Sequence, residues 1–330
     1  MTISFVIVAK NEADQIERCL KSVIASAREI DEVICVDSGS TDHTWQIMSS
    51  YAQIHNFIKV YSAPSALNSA MSRNLGFSKA SGDIIFFLDG DIELYDMFVR
   101  EAYLVIQSGR AEAVTGGLKE VVYDDVDRSI LREHVRHHYD SVQSIMACGG
   151  SFVVLRSVLD EIGIFDDRFF RNQDIDMTLR ISNCVNFVGL PEFVGVHHTP
   201  EYNSRIWYHF LNRYPMVHGM LARKHLGRKG FIKYWLSSRK NIAFGISIYV
   251  ISITMMLMYA LRVIDIDYIM YMLLYIIIMI IYMFIRYGAS TFDLLTIRFL
   301  YPIWVIYGFV FESSIKVGDF AGGAQRVGTR

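Results

Sequence analysis

The first 200 residues predict an α/β fold with a doubly wound, mostly parallel sheet, and three observations carry that prediction. Short Val/Ile/Phe runs of strand length alternate with helix-like stretches. The runs are continuous rather than alternating in polarity, which marks strands covered on both faces. Strand–helix alternation of this kind builds a sheet whose ligands sit at the carboxyl ends of its strands. Beyond residue 200 the composition turns basic and aromatic and then nearly uncharged. That change predicts interfacial helices followed by a C-terminal helical transmembrane region.

Taken in order, the first strand is ISFVIVA (3–9), followed by the helix-like NEADQIERCLKSVIASA. EVICVD (32–37) is the second and leads into SGSTDHTWQIMSSYA, and FIKVYSA (57–63) is the third. After SALNSAMSRNLGFSKA comes DIIFFLD (83–89), the fourth. The first strand ends at Ala9-Lys10-Asn11-Glu12, the second at Asp37-Ser38-Gly39-Ser40-Thr41-Asp42, and the fourth at Asp89-Gly90-Asp91. Any one of these polar clusters reads as a turn; three at one edge of one sheet read as a site. No G-x-G-x-x-G follows the first strand, which disfavours a dinucleotide fold of the dehydrogenase kind.

The tripeptide D-x-D is uninformative by itself, because it recurs at Asp125/Asp127, Asp174/Asp176 and Asp265/Asp267. The Asp89/Asp91 copy is distinguished by its place at the end of a buried strand. Two carboxylates held together repel unless a cation lies between them. Mg²⁺ or Mn²⁺ takes one or two carboxylates plus phosphate oxygens, and would neutralise the charge on a departing phosphate. Gly90 between the acids lets the backbone turn sharply and approach a ligand. Asp37, at the mouth of the second strand, can accept from a nucleobase N–H. Asp125/Asp127 lies in the polar run YDDVDR and reads as a solvated loop; Asp265/Asp267 falls between two apolar runs.

VIVAKNE, VDSGSTD, the RNLGFSKASGD run into FFLDGD, GGSFVVLRSVLDEIGIFDDRF and NQDIDMTLR occur in that order over about residues 3–200. This series resembles the family-2 glycosyltransferases of the GT-A fold. The resemblance implies a nucleotide-sugar-binding domain over 1–204 and inverting, metal-dependent transfer from a UDP-, GDP- or dTDP-linked sugar. It places Asp37 by the nucleobase, with Ala9, Asn11 and Glu12 lining the nucleoside pocket. Arg73 falls near the donor phosphates, and Asp89, Gly90 and Asp91 at the ribose and metal. Gly149, Gly150, Ser151 and Arg180 fall on the acceptor side. His197, in the pair His197-His198, approaches the metal or diphosphate. The family's Glu-Asp pair stands here as Gln173-Asp174, so Asp174 is the general base, with Asp176 the competing assignment. Acids at a helix N-terminus also favour the macrodipole.

Length is consistent with two domains, and the net charge of −2 hides a lopsided distribution. Residues 201–240 hold nine Lys/Arg against Glu201 alone, interleaved with Trp207, Tyr208, Phe210, Tyr214, Phe231, Tyr234 and Trp235. Such a mixture suits interfacial helices over 205–240, on anionic lipid rather than nucleic acid. The region 241–330 then carries spans near 242–262 and 268–286 and a third, shorter candidate near 294–312 that holds Arg298 and Pro302. The N-terminus has neither a basic n-region nor a cleavage site. Together these place the chain as a multi-pass protein of a bacterial or archaeal cytoplasmic membrane, its catalytic domain on the cytoplasmic face. Cys19, Cys35, Cys148 and Cys184 lack C-x-x-C spacing, so they read as small buried hydrophobes.

No Q-x-x-R-W precedes the apolar runs, which disfavours a processive synthase. The leading expectation is single addition to a hydroxyl of a polyprenyl-diphosphate-linked glycan. Its alternatives are a polyprenyl-phosphate sugar synthase and, from another class, a non-catalytic nucleotide-sugar-binding scaffold. Asp174 favours the first, since a phosphate acceptor is already an anion and needs no base.

Overall fold

Residues 1–62, 68–124, 127–201, 214–228, 230–238 and 301–311, with scattered positions between 250 and 277, are described by the computed structural model. The chain separates into two compact units at Tyr202/Asn203.

In the first unit, β1 (Ile3–Ala9) lies between β2 (Glu32–Asp37) and β4 (Ile84–Asp89), with β3 (Ile58–Ser62) beyond β2, all parallel. Every residue of β1 is buried, because both its faces are covered. Phe5 and Ile7 pack with α1 (Ile16–Ser26), α2 (Thr44–Ile54) and α4 (Asp96–Gln107). Val6 and Val8 point the other way, to α3 (Ser69–Lys79), α5 (Arg156–Ile162) and α6 (Gln173–Cys184). The period of two along a strand therefore feeds two cores, and the domain is doubly wound.

The sheet is mixed rather than mostly parallel. β9 (Phe152–Leu155) runs antiparallel to β4 and to β6 (Ala113–Tyr123). β10 (Phe187–Pro200) runs parallel to β6, and the short β5 (Ile92–Leu94) antiparallel to β10. β7 (Ile130–His137) pairs with β6, and β8 (Gln143–Ser144) with β10, both antiparallel. The four strands read from the sequence are the parallel half. The other half brings β5 and β10 against the end of β4, which the site requires.

The second unit, as described, holds α7 (Met216–His225), α8 (Phe231–Ser238) and α9 (Tyr301–Phe311). The expected C-terminal transmembrane region is overturned here: among the described residues no helix is long and apolar enough to cross a membrane. Of the candidate near 294–312, only α9 (Tyr301–Phe311) lies within the described residues. One face of it, with Val305 and Gly308, meets α7, while Ile303, Ile306, Val310 and Phe311 stay exposed. A Cβ on Gly219 would lie 1.8 Å from the Val305 carbonyl oxygen, and one on Gly308 would lie 2.0 Å from that of Met216. Small residues at these two points let the helix backbones touch. Arg223 donates to the carbonyls of Phe309 (3.0 Å) and Val310, so one cation of the basic segment caps a helix end. Most of 242–262 and 268–286, Asp125, Asp265 and residues 202–213 lie outside the described residues. The multi-pass membrane placement is corrected to the same extent: no described helix supports it.

Glu32 ties the parallel strands together at their opening end. It accepts from Ser4 Oγ (2.8 Å), Lys59 Nζ (2.9 Å), Ser81 N (2.6 Å) and Ser81 Oγ (2.7 Å). Burial works to raise its pKa, but these donors override it and hold the carboxyl down at about 2. A carboxylate held below its ordinary range contributes stability in full above about pH 4.5 and loses it as pH falls towards 2. Glu32→Gln is therefore expected to lower unfolding free energy by about 1–2 kcal/mol at pH 7. Urea unfolding followed by tryptophan fluorescence should find the gap to the native chain narrowing between pH 4.5 and 2.

Candidate active site

The parallel register sets the floor of a cleft. Ala9 stands opposite Asp37 and Val8 opposite Asp89, so three strands stop at one level. The loops that leave them are stitched together. Asn11 holds a left-handed backbone (φ 57°) and donates its N–H to Ser40 Oγ (2.9 Å), while its Oδ1 accepts from Thr41 N (2.8 Å). Glu12 N donates to Thr44 Oγ1 at 2.8 Å and Ala13 N to Asp42 at 3.1 Å. Asp37 is 4% exposed and accepts from Gly39 N and Ser40 N of its own turn. Of the residues assigned to a nucleoside pocket, Ala9, Asn11, Glu12 and Asp37 thus share one wall.

Asp89 faces Arg73 of α3, whose guanidinium pairs with it from a position only 2% exposed. Arg73 Nε and Nη1 are buried and have no hydrogen-bond partner among the described residues. Arg73 is thus placed behind Asp89, bracing the acid that lines the cleft. Crowding by protein raises the Asp89 pKa, Arg73 opposes this, and Asp91 and Asp174 add to it, leaving the group above its ordinary range.

Gly90 has a different reason from the one its sequence position implied. Its φ is not in the left-handed region. A Cβ there would come within 2.8 Å of Ala9 Cβ and 3.2 Å of Ile16 Cδ1. Glycine is needed so that the turn packs against the end of β1.

Asp91 meets His197, whose Nε2 lies 3.0 Å from Asp91 Oδ2. The other ring nitrogen, Nδ1, lies 3.0 Å from Glu120 Oε1 on β6. Burial lowers the His197 pKa, but the two carboxylates outweigh it and lift the ring to about 9. Asp91 Oδ1 is buried with no partner among the described residues. Glu12 completes the group: burial, then the Asp91 and Asp89 charges, push it up to about 8. Among the described residues no three His, Cys, Asp or Glu side chains are arranged to hold a metal ion by themselves.

Asp174 comes in from the opposite core, in the first turn of α6, its Oδ1 accepting from Ile175 N at 2.8 Å. Gly149 and Gly150 lie between it and Asp89. A Cβ on Gly149 would lie 3.8 Å from Asp174 Oδ2, and one on Gly150 would lie 2.5 Å from both Asp89 Oδ2 and Arg73 Nη2. Ser151 follows, its carbonyl accepting from Thr115 Oγ1 at 2.8 Å. The two remaining candidates are placed elsewhere. Asp176 is fully buried and accepts from Arg180 Nε (3.2 Å), and Arg180 donates to the carbonyls of Ile162, Gly163 and Ile164. That pair closes the end of α5, which leaves Asp174 as the carboxylate at the cleft.

Sequence reasoning did not single out Glu120, nor the cluster on His198. There Arg18 Nη1 and Tyr123 OH lie 2.8 Å from Nδ1, and Glu93 lies 3.0 Å from Nε2. Burial lowers the His198 pKa, Glu93 opposes this, and Arg18 lowers it further. Its backbone N–H donates to the Asp91 carbonyl at 2.9 Å, fixing the turn that carries that acid.

Residues 4–163 match the family model Glycosyl transferase family 2. Glycosyltransferase AglE of Haloferax volcanii is 23% identical over 247 residues, 73% of this chain and 76% of that protein. Probable glycosyltransferase YdaM of Bacillus subtilis is 25% identical over 264 residues, covering 73% of this chain and 60% of its own. Among solved structures, S. aureus TarS 1-349 in complex with UDP is similar in fold, with a TM-score of 0.54 at 13% identity over 98% of this chain and 90% of that one. The family-2 match covers just under half of the chain. The protein is a glycosyltransferase.

The two glycines at the centre of the cleft make a contrasting pair. Gly150→Ala is expected to lower unfolding free energy by about 1–3 kcal/mol, because the methyl drives Arg73 and Asp89 apart. Gly149→Ala, with room for its methyl, should stay within about 0.5 kcal/mol of the native chain. Denaturant unfolding of both variants measures the difference.

Proposed function

We propose that the protein transfers a sugar from a nucleotide-sugar donor to an acceptor hydroxyl, with inversion at C1 and one addition per encounter. The observation that carries this reading is the convergence of Glu12, Asp37, Asp89 and Asp91 at three parallel strand ends, with Asp174 across the Gly149-Gly150 step. The nucleoside lies against Ala9, Asn11, Glu12 and Asp37, and Asp37 has lone pairs left for a base N–H.

A divalent ion, Mg²⁺ or Mn²⁺, fits the chemistry of the floor. The acid cluster needs a cation, and Asp91 Oδ1 is an orphaned hard donor. His197 Nε2 stands 3.0 Å from the same carboxylate, about the spacing of neighbouring ligands on an ion bonded at about 2.1 Å. Asp91 and His197 would hold the ion, Asp89 would steady it, and diphosphate oxygens would complete its ligands. When bound, it supplies positive charge for the leaving diphosphate.

Asp174 does the proton chemistry. As the acceptor oxygen attacks C1, Asp174 takes the hydroxyl proton, and the electron pair of the breaking C1–O bond goes to the nucleoside diphosphate. The first turn of α6 aims this carboxylate, its Oδ1 accepting from Ile175 N. The small Gly149-Gly150-Ser151 stretch gives the acceptor close access. A glycan carried on polyprenyl diphosphate is the acceptor form this reading favours, since bare polyprenyl phosphate would not need Asp174.

Transfer from UDP-, GDP- and dTDP-sugars to a lipid-diphosphate saccharide, with Mn²⁺ present, is the direct test. Asp174→Asn should cost about 10²–10⁴-fold in turnover while UDP binding stays intact. Asp91→Ala should abolish transfer altogether. Full activity in both variants would end the assignment.

A further inference from the structure

We propose that Glu120 is a positioning residue that fixes the His197 ring for the ion at Asp91; this rests on the assignment of His197 and Asp91 above. β10 lies between β5 and β6, and its His197 is in register with Ile92 on one side and Glu120 on the other. Asp91 immediately precedes Ile92, so Asp91, His197 and Glu120 form a row across three strands. The side chains are 18%, 18% and 15% exposed, so little water competes for their hydrogen bonds.

An imidazole has two ring nitrogens, and here each faces a carboxylate at 3.0 Å. A carboxylate only accepts, so Nδ1 carries a proton and donates it to Glu120. That bond directs Nε2 to the Asp91 side. Without it, rotation of the ring about its bond to Cβ would exchange the nitrogen facing Asp91 for a carbon. When an ion takes the place of the Nε2 proton, the Nδ1 bond to Glu120 keeps the Nε2 lone pair aimed and raises its basicity. Glu120 is itself held by β7, where His134 Nε2 lies 3.2 Å from Oε2 and Arg136 Nη1 lies 3.3 Å from Oε1. Arg136 Nη1 also lies 3.4 Å from His197 Nδ1, where as a donor it adds no acceptor to compete with Glu120. Glu120 stands opposite His134 in the β6–β7 register, so the hairpin sets the carboxylate's orientation.

An ion pair serving only to pin β7 would leave metal binding untouched when broken. A positioning residue would not, and its effect would depend on the ring it positions. Mn²⁺ affinity of the full chain in the presence of UDP, read from the free-ion electron paramagnetic resonance signal, separates the two. Glu120→Ala and His197→Ala should each weaken Mn²⁺ binding about 10–100-fold. Combined, they should weaken it no more than His197→Ala alone. Glu120→Gln, whose amide oxygen still accepts from Nδ1–H, should retain most of the affinity. Glu120→Asp keeps the charge but falls one methylene short, so it should lose affinity like the alanine variant; it serves also if the latter does not fold. His134→Ala, which removes one of the two β7 contacts on Glu120, should weaken Mn²⁺ binding less than Glu120→Ala does. The proposal is overturned if His197→Ala weakens Mn²⁺ binding while both Glu120→Ala and Glu120→Asp bind as the native chain does. It is overturned as well if the Glu120 and His197 losses add in full. If His197→Ala itself binds Mn²⁺ normally, it is the reading of the metal site that fails.

Discussion

The parallel pairing of β1 with β2 and β4 is the constraint from which the site follows. Strands that run the same way and stop together deliver their loops to one edge, and these loops carry Glu12, Asp37, Asp89 and Asp91. Bringing that many carboxylates together is costly, and the cost is visible in Glu12 and Asp89, both raised above the ordinary carboxylate range. Arg73 and His197 offset only part of it. The protein has thus built a place that favours a cation, and the buried Asp91 oxygen without a partner lies at its centre.

The second half of the sheet turns this floor into a two-sided cleft. Because β9 inserts antiparallel beside β4, the chain before it passes over Asp89 as Gly149-Gly150, and only glycine fits between Asp89 and Arg73 there. α6 then presents Asp174 on the far side of the same step. The distance between donor floor and base is in this way set by backbone, not by flexible side chains, as an in-line displacement requires.

Much of this was legible in the sequence, and the residues show why. β1, β2, β3 and β4 announce themselves because both of their faces are buried, which produces continuous apolar runs. Asp37, Asp89 and Asp91 could be singled out because they end such runs. Glu120 could not, since it sits mid-strand on β6 and its meaning comes from a register with β10 about seventy residues away. Gly90 has a second reason that could not be read: packing on Ala9, a contact between strands, is invisible along one strand. Arg180 and Asp176 looked like site residues because they follow Asp174, but helical spacing turns them inward to each other.

The C-terminal unit gives the opposite lesson. Of the apolar stretch near residues 294–312, read as a third and shorter span candidate, the described part is α9, which touches α7 through Gly219 and Gly308 and leaves Ile303, Ile306, Val310 and Phe311 exposed. Hydropathy counts apolar side chains; it does not say what covers them, and here α7 covers one face of α9 only. In the same way Arg223, one of the nine cations before the apolar runs, caps carbonyls of α9.

The central claim is that the strand-end acids bind a nucleoside diphosphate through a divalent ion. Calorimetric titration of the full chain with UDP, first in Mn²⁺ and then in EDTA, tests it most directly. The account predicts saturable binding with Mn²⁺ that is lost when the ion is removed. Equal affinity in EDTA would contradict it.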